Sequence, residues 1–153
     1  MAIPAASAAR TLCELRDWNL SNLELQKILF IAHMFHLGTH GGEPLVNESF
    51  EAWDYGPVLP SVYRRVRGFG SSPVRNVFHG VPATLPETPE YETLANAANA
   101  TRGISAGRLV DLTHRVGGAW ANNYLPGVRG IVIPNRDILN EFNLRARQPQ
   151  QAA

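Results

Sequence analysis

The side chains of this chain that could do chemistry are five histidines, one cysteine and a cluster of arginines. His33, His36 and His40 stand at i, i+3 and i+7. On a helix such residues share one face, from which imidazoles can bind a metal ion. The set lacks the nearby carboxylate of the usual two-histidine helical motif, and Gly38 is expected to end the helix before His40. A buried, hydrogen-bonded His36 with partly exposed neighbours is the favoured reading. Asp111 and His114 are three apart, close enough to pair on a helix, and Ser105 upstream completes a superficial hydrolase set. No Gly-x-Ser-x-Gly elbow accompanies them, and Ser105 is better placed as a helix cap. His114 is expected to bridge its helix to Trp120 or to the aromatic turn at Tyr55. Gly68-Phe69-Gly70 lacks the Lys-Ser/Thr of a phosphate loop. Cys13 has no partner for an intramolecular disulfide, which fits a reducing cytosol, and it reads as a small core hydrophobe.

Arg64, Arg65, Arg67 and Arg75 fall in a stretch, 58 to 80, without an acidic residue. Beside Tyr63 and Phe69 they form a candidate patch for nucleic acid or for an acidic protein, or a plain solvated helix face. A net charge of +1 argues against nucleic acid, because phosphate binding needs a larger basic excess. Thirteen of the 14 basic residues are arginine, and Lys27 is the single lysine. Trp53-Asp54-Tyr55-Gly56-Pro57 is the sharpest local feature. It reads as a rigid corner, with Gly56 opening backbone space and Pro57 stiffening the chain beyond it, and also as an aromatic anchor for a partner.

The elements that must position these residues are mostly helical. A first helix is expected over Ala6 to Asp17. Ser21-Asn22-Leu23-Glu24 is a capping box that opens a second. There Leu25, Ile28, Leu29, Ala32 and Phe35 form one stripe, while Leu23, Phe30, Ile31 and Met34 cover much of the rest. A helix apolar nearly all round belongs at the centre of its domain. Phe50 and Ala52 facing one way, with Glu51 and Trp53 the other, suggest a short hairpin that Gly56-Pro57 would break. A third helix starts from Leu59, with Pro60 in its first turn. Residues 71 to 89 read as irregular, rich in Pro and Gly, and long enough to carry function or mobility. Further helices are expected over Glu90 to Ala100, after Ser105 with Leu109, Leu112 and Val116 inward, and after Pro134. Ile131-Val132-Ile133 is a strand or buried coil. The expected fold is mainly α: a compact single domain of about six helices around a buried one, with at most a short hairpin or extended segments. Residues 1–5 read as a flexible tail, 6–147 as the domain and 148–153 as a disordered tail. No apolar run reaches transmembrane length, and the first residues lack the basic start of a secretory signal.

The block from Leu25 to Tyr63 resembles the Panacea antitoxin domain, also described as the SocA-like or phage-associated GepA-like family. Leu25-Gln26-Lys27-Ile28-Leu29-Phe30 is similar to the family's Leu-Gln-Lys-Leu-Leu-Tyr opening. Phe50 to Pro60 matches its central signature, and Leu109 to His114 with Trp120 matches its later positions. The resemblance implies a structural signature of Gln26, Lys27, His36, Gly56, Pro57, His114 and Trp120. It implies a cytoplasmic antitoxin without cofactor, metal or chemistry of its own, which binds a cognate protein toxin. One branch of the family hands its toxin to a protease, so a Clp-type AAA+ protease is a second candidate partner. The candidate toxin-binding residues are Trp53, Asp54, Tyr55, Tyr63, Arg64, Arg65 and Arg67. Two alternatives stand beside this: a metal site or hydrolase using His33, His36 and His114, and a mobile-element regulator that binds DNA.

Overall fold

The computed structural model describes residues 1–147; the tail expected over 148–153 lies outside the described residues. In chain order the elements are α1 (Ala5–Leu15), α2 (Asn22–Thr39), β1 (Phe50–Trp53), β2 (Gly56–Val58), α3 (Pro60–Val66), α4 (Pro89–Ala100), α5 (Ala106–Thr113), α6 (Ala119–Asn123), β3 (Val132–Ile133) and α7 (Asn135–Arg147). The fold is mainly α, with a small antiparallel sheet in the order β2-β1-β3. Among the described residues there are seven helices, one more than expected. The extra one is α6, a short helix that starts after Gly118.

α2 is the hub. Ser21 Oγ accepts from Glu24 N at 3.2 Å while Glu24 Oε1 accepts from Ser21 N at 3.0 Å, so the capping box starts the helix as its sequence requires. From there Leu25, Ile28, Leu29, Phe30, Ala32, Met34 and Leu37 are all buried, and α1, α4, α5 and α7 pack around them. Each of these side chains other than Ala32 contributes ~2 kcal/mol through apolar burial. Phe35 is a correction: it is 51% exposed, touching Phe142 edge-on instead of joining the core stripe.

Gly38 is a second correction. It does not stop α2, which continues to Thr39. It leaves room for the Phe142 ring of α7, whose atoms lie 2.1 to 2.3 Å from where a Cβ would stand. Residues 1–5 are not a loose tail. Ile3 N donates to Leu45 O at 2.9 Å and Asn47 N to Ile3 O at 3.0 Å, and Ala5 already opens α1. Val116 does not face inward: α5 ends at Thr113, and the turn beyond it leaves Val116 fully exposed.

The hairpin forms with Phe50 and Ala52 buried and Glu51 and Trp53 half-buried, the alternation of a strand with one covered face. Phe50 meets Phe30 of α2 edge-on at 5.2 Å. Gly56 and Pro57 do not break the hairpin; they are its second strand, paired with Trp53 and Ala52. β2 lies at an edge of the sheet, where the missing N–H of Pro57 breaks no central ladder. Residues 71–88 contain neither helix nor strand, yet the segment is tied to the core. Val74 and Phe78 are fully buried, and Arg10 of α1 donates to Val81 O at 2.7 Å.

Candidate functional site

A two-residue loop, Asp54-Tyr55, joins Trp53 to Gly56. Gly56 has φ +116°, a conformation that side chains oppose. A Cβ there would also lie 2.8 Å from Lys27 Cε and 2.9 Å from His114 Nε2. Glycine is therefore required twice over, by the backbone and by two side chains that press against the turn.

The first of these is Lys27, fully buried on α2. Its ammonium donates to Pro57 O at 3.1 Å. Burial alone pulls it down to about 7, with no charged neighbour contributing. An ammonium has three donors, and among the described residues one acceptor, Pro57 O, meets it. The adjacent Gln26 accepts from Leu59 N at 2.8 Å, which fixes the residue from which α3 starts.

The second is His114, at the C-terminal end of α5. Its ring stacks on Trp120 at 3.8 Å and 5°, and Trp120 stacks on Tyr124 at 4.5 Å and 18°. Trp120 Nε1 donates to Trp53 O at 2.7 Å, and Tyr124 OH donates to Asp54 Oδ1 at 2.5 Å. One aromatic column thus holds the entry to the hairpin loop, at Trp53 and Asp54. His114 Nε2 is buried and has no partner in hydrogen-bond geometry. Burial is the main influence pushing this imidazole toward its neutral form, and the nearby Tyr55 backbone opposes it.

In front of the turn opens a cleft of about 900 Å³. Trp53, Tyr55 and Tyr63 supply its aromatic wall and Gln26 and Lys27 contribute from α2, with Arg129 from the loop between α6 and β3. Trp53 and Tyr63 meet edge-on at 4.8 Å. Tyr55 is 74% exposed at the tip. The candidate partner residues Trp53, Asp54, Tyr55 and Tyr63 therefore share one cleft. Arg64, Arg65 and Arg67 continue from Tyr63 along α3 and the single turn after it, all exposed. Among the described residues none of the three is paired with a carboxylate.

The family model described as Antitoxin SocA-like, Panacea domain, matches residues 25–121, well over half of the chain. The chain belongs to this family. It is 34% identical over 113 residues to Antitoxin SocA of Caulobacter vibrioides, which covers 68% of this chain and 60% of that protein. The chain thus spans less than two thirds of that relative's length. No solved structure matches. The matched Panacea region contains the whole structural signature, and six of its residues converge at the turn: Gln26, Lys27, Gly56, Pro57, His114 and Trp120. His36 does not join them. Tyr124 and Arg129 lie beyond the Panacea match, and sequence reasoning missed both. An aromatic residue four positions after Trp120 was the available signal for Tyr124, since that spacing places two rings on one helical face.

The remaining histidines are otherwise engaged. His33 Nδ1 accepts from Val46 N at 3.4 Å, which leaves Nε2 to donate to Asn135 Oδ1 at 2.8 Å. Its burial pushes it down to about 4. His36 pairs with Thr93 Oγ1 at 2.7 Å, lies 3.6 Å from Glu90 and stacks on His40 at 4.1 Å. Among the described residues no three His, Cys, Asp or Glu side chains converge to hold a metal. The hydrolase set does not assemble either. Ser105 Oγ caps α5 by accepting from Arg108 N at 3.1 Å, and nine residues of rise put it about 13 Å from His114. Cys13 is fully buried, and burial with nearby Glu14 pushes its thiol up to about 12, far from a reactive thiolate.

Proposed function

We propose that this chain is a cytoplasmic antitoxin that neutralises a protein toxin by binding it, without chemistry of its own. The binding face combines the Trp53–Tyr55 turn and Tyr63 with the arginines of α3. The observation that carries this reading is an exposed tyrosine, Tyr55, on a turn braced from behind by Lys27, His114 and Trp120, beside three unpaired guanidiniums. Aromatic and arginine side chains on a rigid mount are the composition of an interface hot spot. Family membership and the likeness to Antitoxin SocA of Caulobacter vibrioides support the antitoxin role. Binding blocks the toxin directly or presents it to a Clp-type protease.

The test expresses the open reading frame beside this gene alone, then with this chain, and scores growth and copurification. Rescue together with copurification supports the reading. A harmless neighbour, or rescue without binding, rejects it. The double change Arg64→Glu and Arg65→Glu should abolish rescue; intact rescue moves the interface elsewhere. Loss of rescue in cells lacking the Clp protease, with the two proteins still copurifying, marks the delivery route.

A further inference from the structure

Lys27 is the unusual residue of this molecule. Lysines are almost never fully buried unless paired, because desolvating an ammonium costs several kcal/mol. Here no carboxylate of the described residues lies within ion-pair distance. Pro57 O takes one of the three donors. The charged or titratable groups near it are His114 from the end of α5, and Asp54, Tyr55, Tyr63 and Arg129 in the cleft lining. Asp54, the single acid in the cleft lining, has Oδ1 committed to Tyr124. Lys27 borders the 900 Å³ cleft although its side chain has no exposed surface, so a carboxylate in the cleft would meet the ammonium once the side chain or the turn shifts. That volume is at the upper end for a small-ligand site and admits more than one side chain. The wall is aromatic, Arg129 adds a second cation, and the acid-free stretch 58–80 contributes Val58, Tyr63, Gly70 and Ser71 to the lining. A phosphate is favoured by a free helix N-terminus or nest. At the start of α2 the capping box takes the N–H groups of Ser21 and Glu24, and the Glu24 carboxylate in the first turn opposes a second anion there.

We propose that this cleft receives an acidic segment of the bound toxin, an Asp or Glu carboxylate directed at Lys27 with apolar neighbours packed on Trp53 and Tyr63. This rests on the antitoxin reading and names the chemistry its partner presents.

The test measures fluorescence polarisation of two labelled peptides against the full chain. One has a central Leu-Glu-Phe and the other Leu-Gln-Phe in the same context. The Glu peptide should bind at least about tenfold tighter, the scale for a desolvated charge pair. Lys27→Met should equalise the two, with circular dichroism confirming the fold. Arg129→Glu, an exposed change that leaves the core intact, should weaken the Glu peptide alone. Equal binding of the two peptides, no binding of either, or a Glu preference that survives Lys27→Met overturns the proposal. The growth-rescue assay is run alongside. Failure of the wild-type chain to rescue removes the antitoxin reading itself. Wild-type rescue with equal peptide binding removes only the cleft's acidic ligand.

Discussion

Lys27 couples the candidate site to pH in a direction set by its burial. Its folded value, about 7, lies below the ordinary 10.5, so between these limits the unfolded chain binds more protons than the folded one. Stability should therefore rise as pH increases from about 7 toward 10.5 and fall on the way back down. Lys27→Met should flatten that rise in urea titrations across the same window. It should fold at pH 7, because replacing an unpaired buried charge by an apolar group of similar volume is often neutral or stabilising. A rise that persists in the variant would assign the effect to another group. His33 acts on the acid side. Held neutral by burial with a value of about 4, it contributes stability that is fully present above about 6.5 and is lost as pH falls through 4. His33→Gln should remove part of the loss that begins below pH 6.5, read as the urea midpoint, with His36 and His114, which burial also pushes toward the neutral form, contributing the rest. At this scale the sequence marked Lys27, Gly56 and His114 through a family resemblance, and their mutual contact became visible only in three dimensions. Nothing in residues 27, 56 and 114 taken locally says that one glycine lets the other two approach.

The elements were legible wherever local chemistry decides them. The Ser21–Glu24 box opened α2, Ser105 capped α5, and the alternation at Phe50–Trp53 produced β1. They were misread where a distant contact overrides a local signal. Gly38 looks like a helix stop, yet it sits inside α2 because Phe142, far along the chain, needs the space. Pro57 looks like a strand breaker, yet an edge strand tolerates it. Val116 extends the apolar spacing of α5, but the helix has already ended. Gly38→Ala makes the point testable. Alanine improves intrinsic helix propensity by about 1 kcal/mol, whereas overpacking against a ring costs ~1–3 kcal/mol. The clash at 2.1 Å is close enough for the second effect to win, so the variant should be less stable than wild type in urea titration. Phe142→Leu in the same chain should recover part of the loss, a non-additivity diagnostic of direct contact. A stabilised Gly38→Ala would show that α2 and α7 are not in close contact at this point.

At the scale of the whole molecule, a net charge of +1 conceals an uneven distribution. α3 and the turn after it carry Arg64, Arg65 and Arg67 without partnered acids among the described residues, while Tyr55 is exposed at the tip of a braced turn. These two features should govern different rates. Unpaired exposed charges act at long range and raise the encounter rate with an acidic partner, an effect that salt screens over about 10 Å. An aromatic side chain acts after docking, by filling a desolvated contact that must be broken for release. With the cognate toxin in hand, surface-based kinetics should show Arg64→Glu with Arg65→Glu slowing association, together with a loss of its salt dependence. Tyr55→Ala should leave association within about threefold and speed dissociation by roughly tenfold or more. If the arginine changes instead alter dissociation and leave association untouched, the guanidiniums are buried in the complex and the steering account fails. If Tyr55→Ala alters neither rate, the braced turn serves the fold and not the partner. A nucleic-acid partner would behave differently from both, with affinity falling steeply as salt rises in proportion to the phosphates neutralised.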